Sequence, residues 1–194
     1  MSTQSSDKRT LLVETALDLF YRQGIHAVGI NEVLKVSGVA KKTLYNHFSS
    51  KEALIVATVE QRDQRFQAWL TKRLAKVAAG RATIEAIFIA VDDWINERDP
   101  ALGPFRGCFF INTSAEYSED SCEIFQCCQR HKQSIRGVLY QHALVALGEE
   151  AAAQRLADSL VLLKEGAIVA GHLMGDKQAA VKARETARRL MGLG

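Results

Sequence analysis

Between Lys41 and His47 the sequence gathers Lys41, Lys42, Thr43, Tyr45, Asn46 and His47. Lysine and histidine donate to phosphate oxygens or guanine edges, asparagine pairs with adenine, and threonine can touch a thymine methyl. Lys51 stands at the start of a further helix, where backbone N–H groups also favour a phosphate. Gly29 and Asn31 sit at the start of the helix before this cluster. The charge distribution agrees. Residues 1–51 hold seven Lys and Arg against four Asp and Glu, a local +3, while the whole chain is also +3, so the remainder is neutral. The excess positive charge is where a polyanion would dock.

Other residues point to other chemistry. Cys122, Cys127, Cys128 and His131 fall within ten residues, and Cys127 to His131 spans one helical turn, a spacing that can share a metal. No Cys-x-x-Cys pair accompanies them, so neither a metal nor a cofactor is expected. Nucleophile elbow, phosphate loop and zinc-protease motif are all lacking, and no enzymatic activity is expected. Cys108 is different. It opens a short helix directly after a Pro-Gly loop, with Arg106 two residues before it, and a helix N-terminus favours thiolate. It is a candidate regulatory thiol for oxidants or electrophiles, with Cys122, Cys127 or Cys128 to resolve a sulfenic acid. The competing reading is that all four are small buried hydrophobes.

Helices must position these residues. Only Pro100 and Pro104 occur, among many Ala, Leu, Glu, Lys, Arg and Gln, and no stretch alternates as a strand does. The expected fold is all-α with about nine helices. The first runs from about Asp7 to Gln23, with Leu12, Ala16, Leu19 and Phe20 as its stripe and Gly24 as its stop. Short helices over 29–36 and 40–48 flank the turn Ser37-Gly38-Val39, a helix-turn-helix in which Val33, Leu34, Leu44 and Phe48 face inward. Ser49 or Ser50 caps a fourth helix reaching about Ala79. A fifth covers about Thr83 to Asn96, and 99–104 is a loop. A short helix from near Cys108 to near Tyr117 precedes one from about Asp120. Along that helix Ile124, Cys128, His131, Ile135, Val138, His142 and Val145 keep a four-three spacing. Helices over about 149–174 and 177–191 complete the chain. No apolar run can span a bilayer, and the polar N-terminus lacks a signal-peptide core, so the expected location is the cytoplasm, with no membrane partner and reduced thiols.

Residues 8–54 resemble the DNA-binding domain of the TetR family of repressors. The match rests on Gly24, Glu32-Val33, Ser37-Gly38-Val39-Ala40, Thr43-Leu44-Tyr45, His47-Phe48 and Ser50-Lys51-Glu52-Ala53-Leu54. The resemblance implies phosphate or base contacts by Lys41, Lys42, Thr43, Tyr45 and His47, with Lys51 clamping the DNA backbone. Two positions depart from the pattern. Gly29 stands where Thr or Ser often caps the second helix, and Leu34 where Ala is common.

The resemblance also implies a division into a DNA-binding domain over 1–52 and an effector-binding and dimerisation domain over 53–194. Such a protein binds a double-stranded operator as a homodimer and is released by a small molecule. The middle of the chain is aromatic, and Phe66, Trp69, Phe88, Trp94 and Phe109, with Asn112, Glu116, His131 and His142 as polar insertions, are candidates to line a pocket for an apolar or amphipathic effector. A plain core is the simpler reading for any one of these aromatics. For the dimer interface the candidates are Leu156, Leu160, Leu163, Ala167 and Ala170 on the penultimate helix, with Ala187 and Met191 on the last. Some TetR-like repressors sense reactive species through cysteines, which keeps Cys108 a redox candidate.

Overall fold

The computed structural model describes residues 3–119 and 122–193. Among these it has nine α-helices and no strand: α1 Thr3–Gln23, α2 Ile30–Ser37, α3 Lys41–His47, α4 Lys51–Leu74, α5 Arg81–Ile95, α6 Phe109–Glu116, α7 Glu123–Leu147, α8 Glu150–Leu173 and α9 Ala179–Leu190. The loop expected over 99–104 contains one 3-10 turn, Pro100–Leu102, capped by the Asp99 carboxylate. No described helix is long and apolar enough to cross a membrane.

The chain packs as two compact units, one of residues up to Gln64 with Phe109–Arg130, the other of Arg65–Cys108 with His131–Gly194. In the first, the α1 stripe Leu12, Ala16, Leu19 and Phe20 is buried as its spacing requires, and Ile25, Val28, Val33, Leu44, Phe48 and Leu54 are buried in the same unit. Gly24 ends α1 at φ +89°, a conformation that favours glycine. Ser50 caps α4 by accepting the Ala53 N–H at 3.2 Å.

In the second unit α9 lies against α5 and α8. Its inner face is Ala179, Ala180, Ala183 and Ala187, all buried, so the helices can approach closely. Gly171 serves the same purpose on α8, where an added Cβ would come within 3.0 Å of Ile95. Arg188 reaches Glu85 at 2.8 Å and fixes α9 along α5.

Three expectations are corrected. The first concerns α7, which begins at Glu123, while Asp120 lies outside the described residues. Its buried line holds through Ile124, Cys128, His131 and Ile135, then continues to Leu139 and Ala143 and not to Val138, His142 and Val145; Val145 is 63% exposed. A spacing of 3.5 residues drifts around a helix of 3.6 per turn, so the buried line moves on by one residue. The second is the end of α4, at Leu74 and not Ala79. The backbone turns where Val77 N–H bonds Leu74 C=O, and Thr83 Oγ1 donates to Ala78 C=O. The third is His142. Its Nδ1 accepts the Gly80 N–H at 3.1 Å, which makes it an anchor for the α4–α5 turn.

Burial pushes the His142 imidazole below its ordinary pKa, and the accepted hydrogen bond needs the neutral ring. The unfolded chain therefore takes up this proton more readily. The stabilisation is complete above about pH 6.5 and is lost as the pH falls through the lowered folded value. His142→Gln keeps an acceptor for Gly80 and does not titrate. Urea unfolding of the variant should show a weaker fall in stability from pH 7 to 5 than wild type; parallel curves would dismiss this role.

Candidate nucleic-acid interface

The reading element depends on how a seven-residue helix is held. Leu44 at the centre of α3 is fully buried, as is Val33 on α2, and Phe48 and Val39 close over them. Leu34, expected to share this inner face, is only half-buried. Gly38 adopts φ +67° and ψ 9°, a left-handed turn whose N–H returns to Leu34 C=O at 3.0 Å. α1 supports the pair: Arg9 lies over the Phe48 ring at 5.2 Å, and Gln23 donates to Glu32 at 3.1 Å.

With Leu44 turned inward, Lys41, Lys42, Tyr45 and Asn46 are left in solvent, and Thr43 and His47 are half-buried at the margin. α3 thus presents two cations, an amide and a phenol on one anchored surface. Gly29 is the N-cap of α2 and contributes no side-chain bond, so that helix start keeps its backbone N–H groups uncapped, with Asn31 exposed beside them.

Lys51, expected to clamp the DNA backbone, makes a bond within its own chain. Its Nζ donates to Ile25 C=O at 2.7 Å and lies 5.9 Å from the Phe20 ring centre. The ammonium thereby tethers the α1–α2 loop. Glu116 holds the other side of the same loop: its carboxylate accepts Ile25 N–H at 2.8 Å, His26 N–H at 2.6 Å and His26 Nδ1 at 3.0 Å. The His26 ring stacks on Tyr117 at 4.9 Å. Burial first, then the Glu52 and Glu116 carboxylates, push the Tyr117 phenol upward. Nothing local in the sequence links Glu116 to Ile25, 91 residues away. The one clue is Gly24, where a Cβ would sit 3.4 Å from Glu116 Oε1.

The nine residues expected to line an effector pocket divide between the two units. Phe109, Asn112 and Glu116 belong to the first unit, where Phe109 packs edge-on to Tyr21 at 5.8 Å and Asn112 is exposed. Phe66, Trp69, Phe88, Trp94, His131 and His142 belong to the second. There Phe66 touches Trp69, Trp94 and His131 at 5.1, 6.1 and 5.1 Å, and Trp94 continues to Phe105. Phe88 is fully buried. These rings fill space against one another as a core does.

The residues expected at a dimer interface mostly face their own chain. Leu156, Leu160, Ala167, Ala187 and Met191 are buried by their own chain, and Leu163 and Ala170 are half-buried. The exposed apolar line of α8 is Leu162, Val169 and Leu173, with Gly166 between them and Leu190 exposed on α9.

Cys108 is buried and directly precedes α6. Lys132 Nζ donates to its Sγ at 3.3 Å and to Glu165 at 2.6 Å, and Glu165 also pairs with the wholly buried Lys164. Burial disfavours the Lys132 ammonium, but Cys108 and Glu165 outweigh it and its pKa is raised. Burial prevails at Lys164, whose pKa is lowered. Cys127 is buried too, with its thiol pushed upward by burial and its Sγ bonded by Arg130 at 2.8 Å. Among the described residues no three His, Cys, Asp or Glu are grouped to hold a metal.

Residues 12–58 match the family of bacterial regulatory proteins named for TetR. The HTH-type transcriptional regulator UidR of Escherichia coli K12 is 35% identical over 65 residues, which is 34% of this chain and 33% of UidR, so the match spans about a third of that relative's length. The HTH-type transcriptional repressor NemR of the same organism is 26% identical over 151 residues, 74% of each protein. Its reduced form shares the fold at a TM-score of 0.80 and 24% identity, over 94% of this chain and 96% of NemR. The TetR-family regulator SCO4454 of Streptomyces coelicolor superposes at a TM-score of 0.86 with 28% identity, over 96% of this chain and 95% of that one. All three are named as regulators of transcription. The helix-turn-helix motif and the family match agree that residues 12–58 form a TetR-type DNA-binding domain, and among the described residues the nine-helix fold is that of TetR-family transcriptional regulators.

Proposed function

We propose that the protein is a repressor that binds a pseudo-palindromic operator as a homodimer and releases it when a small apolar or amphipathic effector binds. The observation that carries this reading is the exposed Lys41, Lys42, Tyr45 and Asn46 surface on a helix pinned by the buried Leu44. Residues 1–52 read the DNA and 53–194 bind the effector and the partner subunit, in the cytoplasm where the operator lies. Binding is anchored on phosphates, so Lys42→Ala should lower the slope of log affinity against log salt by about 0.9. Lys51→Met acts differently: it should destabilise the fold by roughly 1–2 kcal/mol and leave the slope unchanged. Salt-titrated gel shifts and melting curves separate the two, and a reduced slope for Lys51→Met would return that residue to the DNA contacts.

Dimerisation uses the outer line of α8, Leu162, Val169 and Leu173, with Leu190 of α9. An exposed apolar line of this kind marks a partner surface. A two-fold dimer sets two recognition helices about 34–36 Å apart, one turn of DNA. Sedimentation should find wild type dimeric and Leu162→Glu monomeric with its fold intact. A monomeric wild type, or a dimeric variant, would sink this assignment.

A second reading is favoured by the Lys132 ammonium 3.3 Å from Cys108 Sγ. Here Cys108 is a regulatory thiol. Peroxide oxidises its sulfur to a sulfenic acid and is itself reduced to water. Operator release on adding peroxide should be strong in wild type and absent in Cys108→Ser. Equal release by both, or by neither, leaves Cys108 a core residue.

A further inference from the structure

Within the first unit, the direction of α3 is handed down from one part to the next. The loop over 24–29 sets where α2 begins, and the buried Val33, Leu44 and Phe48 make α3 follow α2. Ile25 and Val28 are buried, so the loop is seated in the core of this unit. Two ionised side chains tie its main chain. Lys51, at the start of α4 and shortly after α3, holds Ile25 C=O and closes the helix cluster on itself. Glu116, at the end of α6, ties the same loop to a helix outside that cluster.

Both oxygens of Glu116 are engaged. Oε1 accepts Ile25 N–H at 2.8 Å, while Oε2 accepts His26 N–H at 2.6 Å and meets His26 Nδ1 at 3.0 Å. A carboxylate that accepts two successive main-chain N–H groups fixes the peptide in direction as well as in place. The charge has the wrong sign for a DNA contact, since an acid in this unit opposes the docking of a polyanion. What the side chain supplies is the angle at which α3 is presented. Attraction to phosphates survives a small error in that angle, whereas hydrogen bonds to base edges weaken steeply with misalignment.

We propose that Glu116 is a positioning residue for sequence reading: its clamp on Ile25 and His26 holds α3 at the angle that base contacts require, and it acts without touching DNA. The proposal rests on the DNA-reading surface of α3 argued above.

The full-length wild type first enriches a duplex from a random-sequence pool, and a shuffled duplex of the same composition serves as the non-specific probe. Affinities for both are then measured for wild type, Glu116→Ala, Glu116→Gln and His26→Ala, with a melting curve for each. Charge and geometry predict opposite signs. Loss of an acid alone should tighten binding to both duplexes. Loss of the clamp should weaken the enriched duplex about tenfold in Glu116→Ala and leave the shuffled duplex bound at least as tightly as before. Glu116→Gln removes the same charge but keeps one oxygen acceptor, so its loss on the enriched duplex should be smaller, about threefold. His26→Ala keeps both main-chain bonds and should stay within about twofold of wild type. Should Glu116→Ala not fold, the isosteric Glu116→Gln decides. Unchanged or tighter binding of the enriched duplex by Glu116→Gln, or an equal loss on both duplexes, overturns the proposal. Wild type that enriches no sequence defeats the DNA-reading surface itself, and the role of Glu116 with it; enrichment with unaffected Glu116 variants defeats only the latter.

Discussion

A helix of seven residues does not hold together alone in water, because nucleation costs more than one or two turns of hydrogen bonds return. α3 therefore exists only as far as its single buried anchor, Leu44, is docked. Burying such a side chain is worth about 1.5–3 kcal/mol, a large share of what one short helix contributes. The contact fixes the rotation of α3 about its axis, and so fixes which residues face outward. Leu44 inward leaves Lys41, Lys42, Tyr45 and Asn46 outward, and rotation by one residue would put Thr43 or Tyr45 in its place. The exposed surface of α3 is a by-product of core packing.

The support beneath α3 is polar as well as apolar. The backbone N–H and C=O of Ile25 are each bonded by an ionised side chain, Glu116 on one side and Lys51 on the other. The Ile25 C=O also accepts the Val28 N–H at 3.3 Å, but without Glu116 the Ile25 N–H would be costly wherever it is shielded from water. Glu116 ends α6 and Lys51 begins α4. Three segments distant in sequence meet on one residue, and the entry angle of α2 depends on all three.

Much of this architecture was legible in the residues. Helix periodicity, the glycines at 24 and 38, and the Ser50 cap each act locally, so they could be read one segment at a time. What the spacing left open was partner choice. α8 is apolar on several sides, and nothing in its own sequence tells which side meets α5 and α9. The small residues of α9 and Gly171 decide it, burying Leu156, Leu160 and Ala167 and leaving Leu162, Val169 and Leu173 outside. The candidate pocket residues meet a related difficulty. Aromatic residues near one another in sequence share composition with both cores and cavities, and only packing distinguishes them. Glu116, His142 and Lys51 were read as ligand-facing or DNA-facing, yet each is held by a backbone group far away in the chain.

The alanine face of α9 has a consequence for sequence drift. Ala179, Ala180, Ala183 and Ala187 set the distance to the neighbouring helices by methyl contact alone. A larger residue at any of the four has no cavity to enter, and a glycine there loosens both the contact and the helix. Lys182, Glu185, Thr186 and Arg189, on the same twelve-residue helix, face solvent and carry no such restriction. Divergence along α9 should therefore follow a helical period, with one face frozen at the smallest side chain that still favours a helix and the other free to change. Enlargement of an alanine is tolerable only alongside a compensating reduction across the contact, on α5 or α8, so these three helices evolve as a set.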